Sequence, residues 1–215
     1  MSRPAVFLDR DGVLVEEVFY PQTGEWEAPM TAADVRLAPG AVAAARRLQQ
    51  ANFALILVSN QGAHAKGKID LQSLWRAHER FVFLLNAEGV RLDGEYYSFS
   101  HPDGIVPAFS GPSLDRKPSP YNLFVAAARH DIDLSRSWMI GDRDTDVACG
   151  KAAGTKTILI RSSPIGRESA LPETDADWCV SNLAEAAEII LMAANERCEP
   201  MPTPVPAKRT CQEGN

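Results

Sequence analysis

The amino-acid sequence predicts an α/β fold in which helices cover both faces of a central parallel sheet. Short apolar runs alternate along the chain with longer segments whose apolar residues recur at helical spacing. The runs are almost continuously apolar, which is typical of parallel strands buried on both faces. The 215 residues, 45% of them hydrophobic, are enough for one core of good size.

Five runs have the length and composition of buried strands. They cover residues 5–8, 54–58, 96–99, 138–140 and 157–160. The helix after the first strand is opened by Pro39 and Gly40 and runs to about residue 50, with proline suited to the first turn. The helix after the second strand is capped by Asp70 and ended by Gly89. Its predicted apolar face follows three- and four-residue spacing: Leu71, Leu74, Trp75, His78, Phe81, Val82 and Leu85.

Two further helices follow later strands. Ser119 and Pro120 begin one that continues to His130, and Asn182 with Glu185 resembles a capping box for the last helix. The sequence predicts a single domain over residues 1–198, without a repeat or a domain-sized linker. The remaining stretch, EPMPTPVPAKRTCQEGN, has four prolines and few large apolar groups, which predicts a disordered tail over residues 199–215.

Composition limits the classes of partner. With 22 basic and 28 acidic residues the formal charge is −6, which argues against nucleic acid or an anionic membrane but permits a local cationic pocket. No apolar run approaches the roughly 20 residues that cross a bilayer, and no leader of signal-peptide form is present. The four cysteines include no C-x-x-C pair, which favours reduced thiols. We expect a cytoplasmic monomer.

Two carboxylates directly follow the first predicted strand. Asp9 ends the stretch AVFLD, and Asp11 comes two positions later, before Gly12. Residues two apart share one side of an extended chain, so both can face one pocket. Two such charges repel by roughly 4 kcal/mol at 4 Å and an effective dielectric near 20. Two such carboxylates can stay close together where a hard cation lies between them or where one of them is protonated. Taken by itself, the D-x-D motif also fits a solvated turn.

Polar residues also follow the later strands. Ser59, Asn60 and Gln61 offer a hydroxyl and successive backbone N–H groups, which can cradle an anion or form a plain turn. Arg116 and Lys117 precede a helix start that favours anions. A further cluster of acids exceeds what helix capping requires: Asp142, Asp144 and Asp146. Because ligands gather at the carboxyl ends of parallel strands, these groups are expected to converge.

In this order, the motifs resemble those of the haloacid dehalogenase (HAD) superfamily. Its four motifs correspond here to DRDGV from Asp9, to Ser59, to Lys117 and to GDRDTD from Gly141. The stretches FLDRDGVL, VSNQG, AKGK, DGEYYSFSHPDG and DRKPSP are similar to the branch that holds heptose bisphosphate and histidinol-phosphate phosphatases. The resemblance covers about residues 5–160 and implies a Rossmann-like HAD fold and a Mg²⁺-dependent phosphomonoesterase.

The resemblance also implies roles for individual residues. Asp9 would be the nucleophile and a metal ligand. Asp11 would be the general acid and base and give the metal its backbone carbonyl, and Asp142 would complete the metal site. Ser59 and Lys117 would hold the phosphoryl group. Substrate binding would fall to the remaining matched positions: Asn60, Gln61, Arg116, Glu17 and Tyr20.

One loop departs from the pattern of the branch. Heptose phosphatases commonly carry a Cys/His zinc loop between the second and third motifs, and the matching ligand positions here are Ser98, Ser100, Ser113 and Asp115. His101 alone cannot build a tetrahedral zinc site. We therefore predict no structural zinc.

The predicted reaction is hydrolysis of a phosphate monoester through an aspartyl phosphate on Asp9, with Asp11 as proton donor and acceptor. The short spacing between motifs leaves no room for a large cap domain, which suits a small phosphorylated metabolite. D-glycero-D-manno-heptose 1,7-bisphosphate or a related sugar phosphate is the expected substrate, with histidinol phosphate as the alternative. A non-catalytic phosphoacceptor or binding module is the alternative of another class; receiver domains, however, are about half as long and phosphorylate an aspartate where this chain has Ser59.

Overall fold

The computed structural model describes residues 2–161 and 174–195. The strands are β1 (Ala5–Leu8), β2 (Val18–Tyr20), β3 (Glu25–Glu27), β4 (Ala54–Asn60), β5 (Gly94–Ser98), β6 (Trp138–Gly141), β7 (Lys156–Ile160) and β8 (Trp178–Val180). The helices are α1 (Ala41–Gln50), α2 (Leu71–Ala87), α3 (Tyr121–His130), α4 (Asp144–Ala153) and α5 (Leu183–Asn195). Six strands form one sheet in the order β5-β4-β1-β6-β7-β8, and each neighbouring pair is parallel. The predicted α/β class is confirmed.

Side chains alternate between the two faces of the sheet, and each face has its own apolar cluster. In β1, Val6 and Leu8 pack with α1, α2 and α5, whereas Ala5 and Phe7 pack with α3 and α4. All four side chains are fully buried. Burial on both faces explains why the strand sequences are apolar runs rather than alternating patterns.

All five predicted strands are present, with small shifts at their ends. The strand predicted to end at residue 58 continues to Asn60, so Ser59 lies within β4. The one predicted to end at Phe99 ends at Ser98 instead. Two further features were not predicted, the edge strand β8 and the antiparallel hairpin of β2 and β3. Their strands have only three residues each, with none buried, so they give no hydrophobic signal.

The predicted helix ends agree closely with the structure. The Asp70 carboxylate accepts a hydrogen bond from the backbone N–H of Ser73 at 2.8 Å, and so caps α2. One bond of the predicted capping box of α5 is present, since Asn182 Oδ1 accepts from the backbone N–H of Glu185 at 3.0 Å. In the other, the Glu185 carboxylate accepts from the backbone N–H of Ser181 instead of that of Asn182. The predicted apolar face of α2 is wrong at Trp75, which remains 43% exposed, while Ala77 takes a place in the core.

Some predictions concern parts of the chain for which nothing is described. The tail over residues 199–215 and the cysteines Cys198 and Cys211 lie outside the described residues. Within the described ranges, no helix combines the length and the hydropathy needed to cross a membrane.

Candidate active site

The predicted motif residues meet at the centre of the sheet. β1 lies between β4 and β6, and the carboxyl ends of these three strands border a cleft of about 480 Å³. In a parallel sheet, the loops that follow neighbouring strands at such a position lead to opposite faces of the sheet, and a crevice opens between them. The predicted residues that line it are Asp9, Asp11, Asn60, Gln61, Arg116 and Lys117.

Three carboxylates converge beside the cleft. Asp9 continues the pairing of β1 through its backbone N–H, which donates to Ile140 at 2.9 Å. Asp142 follows β6, and Asp146 lies in the first turn of α4. One oxygen from each carboxylate lies within 4.8 Å of the other two. Oxygen ligands at this spacing suit a hard divalent cation such as Mg²⁺.

Two glycines make room for this cluster. Gly12 has a φ of 74°, and a Cβ there would lie 2.7 Å from Asp142 Oδ2. A Cβ on Gly141 would lie 2.1 Å from Cγ of Asp146. Any side chain at either position would therefore displace a carboxylate of the cluster.

The electrostatics of the cluster fit a bound cation. Burial, followed by the charge of Asp9, raises the pKa of Asp142 to about 8. Asp142 Oδ1 is buried and has no hydrogen-bond partner among the described residues. Buried polar atoms are normally paired, so an unpaired carboxylate oxygen beside two other acids suits the binding of a cation. Mg²⁺ is therefore the cofactor that these residues fit, as the sequence predicted.

Lys117 supplies the buried positive charge of the site. It is 3% exposed, and its Nζ lies 3.1 Å from Asp9 Oδ1 and 2.6 Å from Asp146 Oδ1. The same Nζ donates to the carbonyl of Val58 at 2.7 Å. Burial alone would lower the pKa of Lys117, but Asp146 and Asp9 outweigh it and raise that pKa above its usual value. The ammonium group therefore stays charged.

Asn60, expected to bind substrate, also holds Lys117 in place. Its Oδ1 accepts from the backbone N–H of Lys117 at 3.1 Å, and its Nδ2 donates to the Lys117 carbonyl at 3.0 Å. Both ends of the amide are thus occupied by one residue of the loop before α3. This pairing fixes the loop to the end of β4. It explains how Lys117 is held beside the end of β4 although it is far from Asn60 in the sequence.

Asp11, Gln61 and Ser59 form a group connected by hydrogen bonds. Gln61 Nε2 donates to Asp11 Oδ2 at 2.6 Å and to the hydroxyl oxygen of Ser59 at 3.0 Å. Ser59 is 1% exposed and does not itself line the described cleft. Arg10, which the sequence did not single out, holds Asp11 Oδ1 through its Nε at 2.9 Å.

Cationic side chains line the outer part of the cleft. Arg116 is part-buried and donates through Nη1 to the carbonyl of Ser100 at 2.9 Å. Burial and then the positive charge of Arg143 lower the pKa of Arg116. Lys66 and Arg143 line the same cleft. Several cations in the lining of one cleft are typical of a site that receives an anion.

Glu17 and Tyr20, the other two predicted substrate-binding residues, lie elsewhere. Glu17 borders a neighbouring groove and lies 3.4 Å from Arg143. The Tyr20 hydroxyl donates to Asp34 at 3.0 Å and accepts from the backbone N–H of Met30 at 2.8 Å. Burial raises the pKa of Tyr20 to about 12. These bonds tie the hairpin to the chain that follows it and leave Tyr20 away from the lining of the cleft.

Sequence reasoning missed several residues that build the cleft. Asp146 was noticed among the acids but not assigned to the metal; it lies in the first turn of α4, whereas Asp142 precedes that helix. The hairpin contributes Glu25, Trp26 and Glu27 to the cleft wall. Lys68 forms ion pairs with both of these glutamates, at 3.3 Å and 2.7 Å. The strands of the hairpin are short and carry no hydrophobic pattern, so Glu25, Trp26 and Glu27 could not have been assigned from the sequence.

The loop that lacks zinc ligands is held by hydrogen bonds. Asp115 Oδ1 accepts from the hydroxyl of Ser98 at 2.8 Å and also from the hydroxyl of Ser113. The backbone carbonyl of Asp115 accepts from Asn122 Nδ2 at 2.9 Å. Three of the four positions matched to zinc ligands therefore bond to one another, and the absence of structural zinc remains a prediction.

Comparison with known proteins identifies the family. A family model described as HAD-hydrolase-like matches residues 114–186. The chain is 38% identical, over 88% of its own length and 96% of the relative, to the D-glycero-D-manno-heptose-1,7-bisphosphate 7-phosphatase of Thermosynechococcus vestitus. It is 34% identical to the corresponding enzyme of Escherichia coli K12, over 88% and 94% of the two chains. The chain belongs to this branch of the HAD superfamily.

Solved structures of HAD phosphatases share this architecture. The heptose bisphosphate phosphatase of B. bronchiseptica, solved with magnesium and phosphate, superimposes with a TM-score of 0.69 at 26% identity, over 88% of this chain and 99% of that one. A HAD-like phosphatase from Mesorhizobium loti gives a TM-score of 0.72 at 27% identity, over 89% and 87%. The predicted superfamily, fold and enzyme class, a hydrolase, are confirmed, and the non-catalytic alternative is not supported.

Proposed function

We propose that this HAD phosphatase hydrolyses a phosphorylated sugar through an aspartyl-phosphate intermediate on Asp9, with Mg²⁺ as cofactor. The observation that carries the proposal is the meeting of four chemically distinct groups at one cleft. Asp9 is a nucleophile, Asp11 a proton carrier and Lys117 a fixed cation, and all three line the cleft. Asp142 lies beside Asp9 in the acid cluster, and its buried Oδ1 has no hydrogen-bond partner among the described residues. This set matches the needs of phosphoryl transfer to a carboxylate.

In the first half of the reaction, a carboxylate oxygen of Asp9 attacks phosphorus. The bond between phosphorus and the ester oxygen breaks, and Asp11 gives its proton to that oxygen, so that the sugar leaves as an alcohol. Lys117, 3.1 Å from Asp9 Oδ1, offsets the negative charge that Asp9 and the phosphoryl oxygens bring together. Mg²⁺ held by Asp9, Asp142 and the Asp11 carbonyl would add positive charge at the same point.

In the second half, Asp11 is the base. It removes a proton from a water molecule, whose oxygen attacks phosphorus, and the bond to Asp9 breaks. Orthophosphate leaves, Asp9 returns to a carboxylate, and Asp11 holds the proton that it needs for the next cycle. Two carboxylates are required because one must be ionised to attack while the other carries a proton.

We assign D-glycero-D-manno-heptose 1,7-bisphosphate as the preferred substrate. The relatives named above are phosphatases of this ester, and the cationic lining supports a substrate with more than one phosphoryl group. Besides Lys117, the cleft is lined by Lys66, Arg116 and Arg143. Histidinol phosphate has one phosphoryl group and an ammonium group of its own, so it matches these cations less well.

Other sequence predictions remain part of the proposal. We infer a single catalytic domain over residues 1–198 that acts as a monomer in the cytoplasm without nucleic acid or membrane. The described cysteines Cys149 and Cys179 are free thiols, which is compatible with a reducing compartment.

The test is phosphate release from a panel of esters, measured as kcat/KM with Mg²⁺ and with EDTA. Asp9→Asn should lower turnover by at least about 10⁴-fold, because removal of a nucleophile abolishes the covalent route. Asp144→Asn is the matched control, since Asp144 is exposed and does not line the described cleft. Near-normal activity in Asp9→Asn with an intact fold would refute the nucleophile. A preference for histidinol phosphate would refute the substrate assignment alone.

A further inference from the structure

The side chain of Arg10 takes no direct part in the proposed reaction. Arg10 is only 2% exposed. It borders a small space together with Gln61 and is not among the residues that line the cleft. Removing a guanidinium group from water is costly unless several charged or polar partners compensate it. The partners of Arg10 therefore indicate its purpose.

Those partners are Asp11 and Gln61. Arg10 Nε donates to Asp11 Oδ1 at 2.9 Å, and Nη2 donates to Asp11 Oδ2 at 3.2 Å. Nη2 also donates to Gln61 Oε1 at 2.8 Å, while Gln61 Nε2 donates to Asp11 Oδ2 at 2.6 Å. These bonds form a closed ring that contacts both oxygens of the carboxylate. A bidentate pair of this kind fixes orientation as well as position.

Arg10 is supported in turn by residues on β5 and α2. Tyr97 and His78 border the same small space as Arg10, and the Tyr97 hydroxyl lies 2.6 Å from Nδ1 of His78. His78 Nε2 lies 2.9 Å from Glu95. Because a guanidinium group keeps its protons in proteins, this row of side chains cannot pass a proton to Asp11. It can only hold Arg10 still.

We infer that Arg10 is a positioning residue, which holds the Asp11 carboxyl group at the edge of the cleft for both of its proton transfers. The inference rests on the proposed function, since it assumes that Asp11 is the acid and base. When Oδ2 carries the proton, the bond from Nε to Oδ1 keeps the group in place. Gln61, which the sequence assigned to substrate binding, shares this task.

The test compares two esters that differ in their need for an acid. Heptose 1,7-bisphosphate must leave as an alcohol and needs a proton, whereas 2,4-dinitrophenyl phosphate leaves as a stable phenolate. Formation of the phosphoenzyme is followed by rapid acid quench in a single turnover with Mg²⁺. Arg10→Met should slow formation from the heptose ester by about 10²-fold, the usual scale of general acid catalysis. Formation from the dinitrophenyl ester should change by less than about threefold, since that step needs no acid.

Three further variants separate positioning from a general structural effect. Asp11→Asn should show the same selective loss, and adding Arg10→Met to it should cost no more than about twofold, because Arg10 acts through Asp11. Arg10→Lys should recover part of the rate, since it keeps the charge but not the bidentate geometry. Arg80→Met removes an arginine that lies over the exposed ring of Phe83 and should leave both rates unchanged.

Equal losses on both esters, or additive losses in the double variant, would overturn the inference. If Arg10→Met does not fold, Gln61→Met provides the same comparison, because it removes one donor to Asp11 and keeps Arg10. Turnover by Asp9→Asn, or no phosphoenzyme from wild type with either ester, would instead count against the proposed function.

Discussion

The ammonium nitrogen of Lys117 lies 3.1 Å from Oδ1 of Asp9. The same nitrogen is 2.6 Å from Asp146, so one buried cation serves two buried acids that come from different parts of the chain. Such an arrangement is stable only as a set, because removal of one member leaves the others buried and uncompensated.

Lys117→Met is therefore expected to damage the fold as well as the activity. It leaves the carboxylates of Asp9 and Asp146 without their cation and should lower the free energy of unfolding by about 3–5 kcal/mol. Urea denaturation in EDTA measures the loss. Lys151→Met, at an exposed ion pair with Asp175, is the control and should cost less than about 1 kcal/mol. A similar small cost for Lys117→Met would mean that the buried pairing is not needed for stability.

The stability of the metal-free protein should fall as pH rises from about 4 to about 8. The pKa of Asp142 is raised to about 8 in the folded protein, by burial first and then by Asp9, whereas an unfolded aspartate titrates near 3.9. The folded state therefore binds more protons over this interval, and its relative stability decreases with pH. Thermal denaturation in EDTA across this range measures the trend. Asp142→Asn should flatten the curve, and an unchanged slope in that variant would assign the trend to other groups.

Magnesium should stabilise wild type strongly and Asp142→Asn weakly. A ligand that binds only the folded state adds about 2.7 kcal/mol at one hundred times its dissociation constant. Asp142 contributes an unpaired buried oxygen to the acid cluster, so its amide variant should shift the Mg²⁺ titration of the melting temperature at least tenfold. Asp144→Asn, outside the cluster, should titrate like wild type. Equal titrations in all three proteins would place the ion elsewhere.

Asp115→Ala should loosen the loop between β5 and α3. The substitution removes the acceptor shared by Ser98 and Ser113 and leaves the buried Ser98 hydroxyl unpaired, at a cost of about 1–3 kcal/mol. Faster proteolysis of the loop and a higher KM should accompany the loss of these hydrogen bonds in Asp115→Ala. Elemental analysis of the wild-type protein should find no zinc. Asp103→Ala, on the same loop with a side chain 89% exposed, should be silent. Stoichiometric zinc in wild type would contradict the whole account of this loop.

The sequence predicted those parts of the site that follow buried strands. Asp9, Ser59 and Asp142 each come at or directly after an apolar run, so their register follows from the sheet. Lys117 was recognised through its motif, since the loop before α3 has no periodicity of its own. What places it is the pairing of its backbone with Asn60, a tertiary contact over a long separation in sequence.

Other parts could not be read from the sequence for physical reasons. Arg10 lies between two assigned aspartates, and nothing in the pattern shows that its side chain turns inward. The hairpin of β2 and β3 is too short and exposed to produce alternation, so its contribution to the cleft stayed hidden. Trp75 fits the apolar spacing of α2 yet remains 43% exposed, because its ring lies at the margin of the core, against the rings of Tyr97 and Phe99.

The hairpin also gives the protein a built-in optical signal. Of the four tryptophans in the chain, all of which are described, Trp26 alone lines the cleft. Its indole ring is in contact with Phe19 on the hairpin and is 38% exposed. Indole emission depends on contact with water, so arrival of an anion beside Trp26 can be followed by fluorescence without any attached dye.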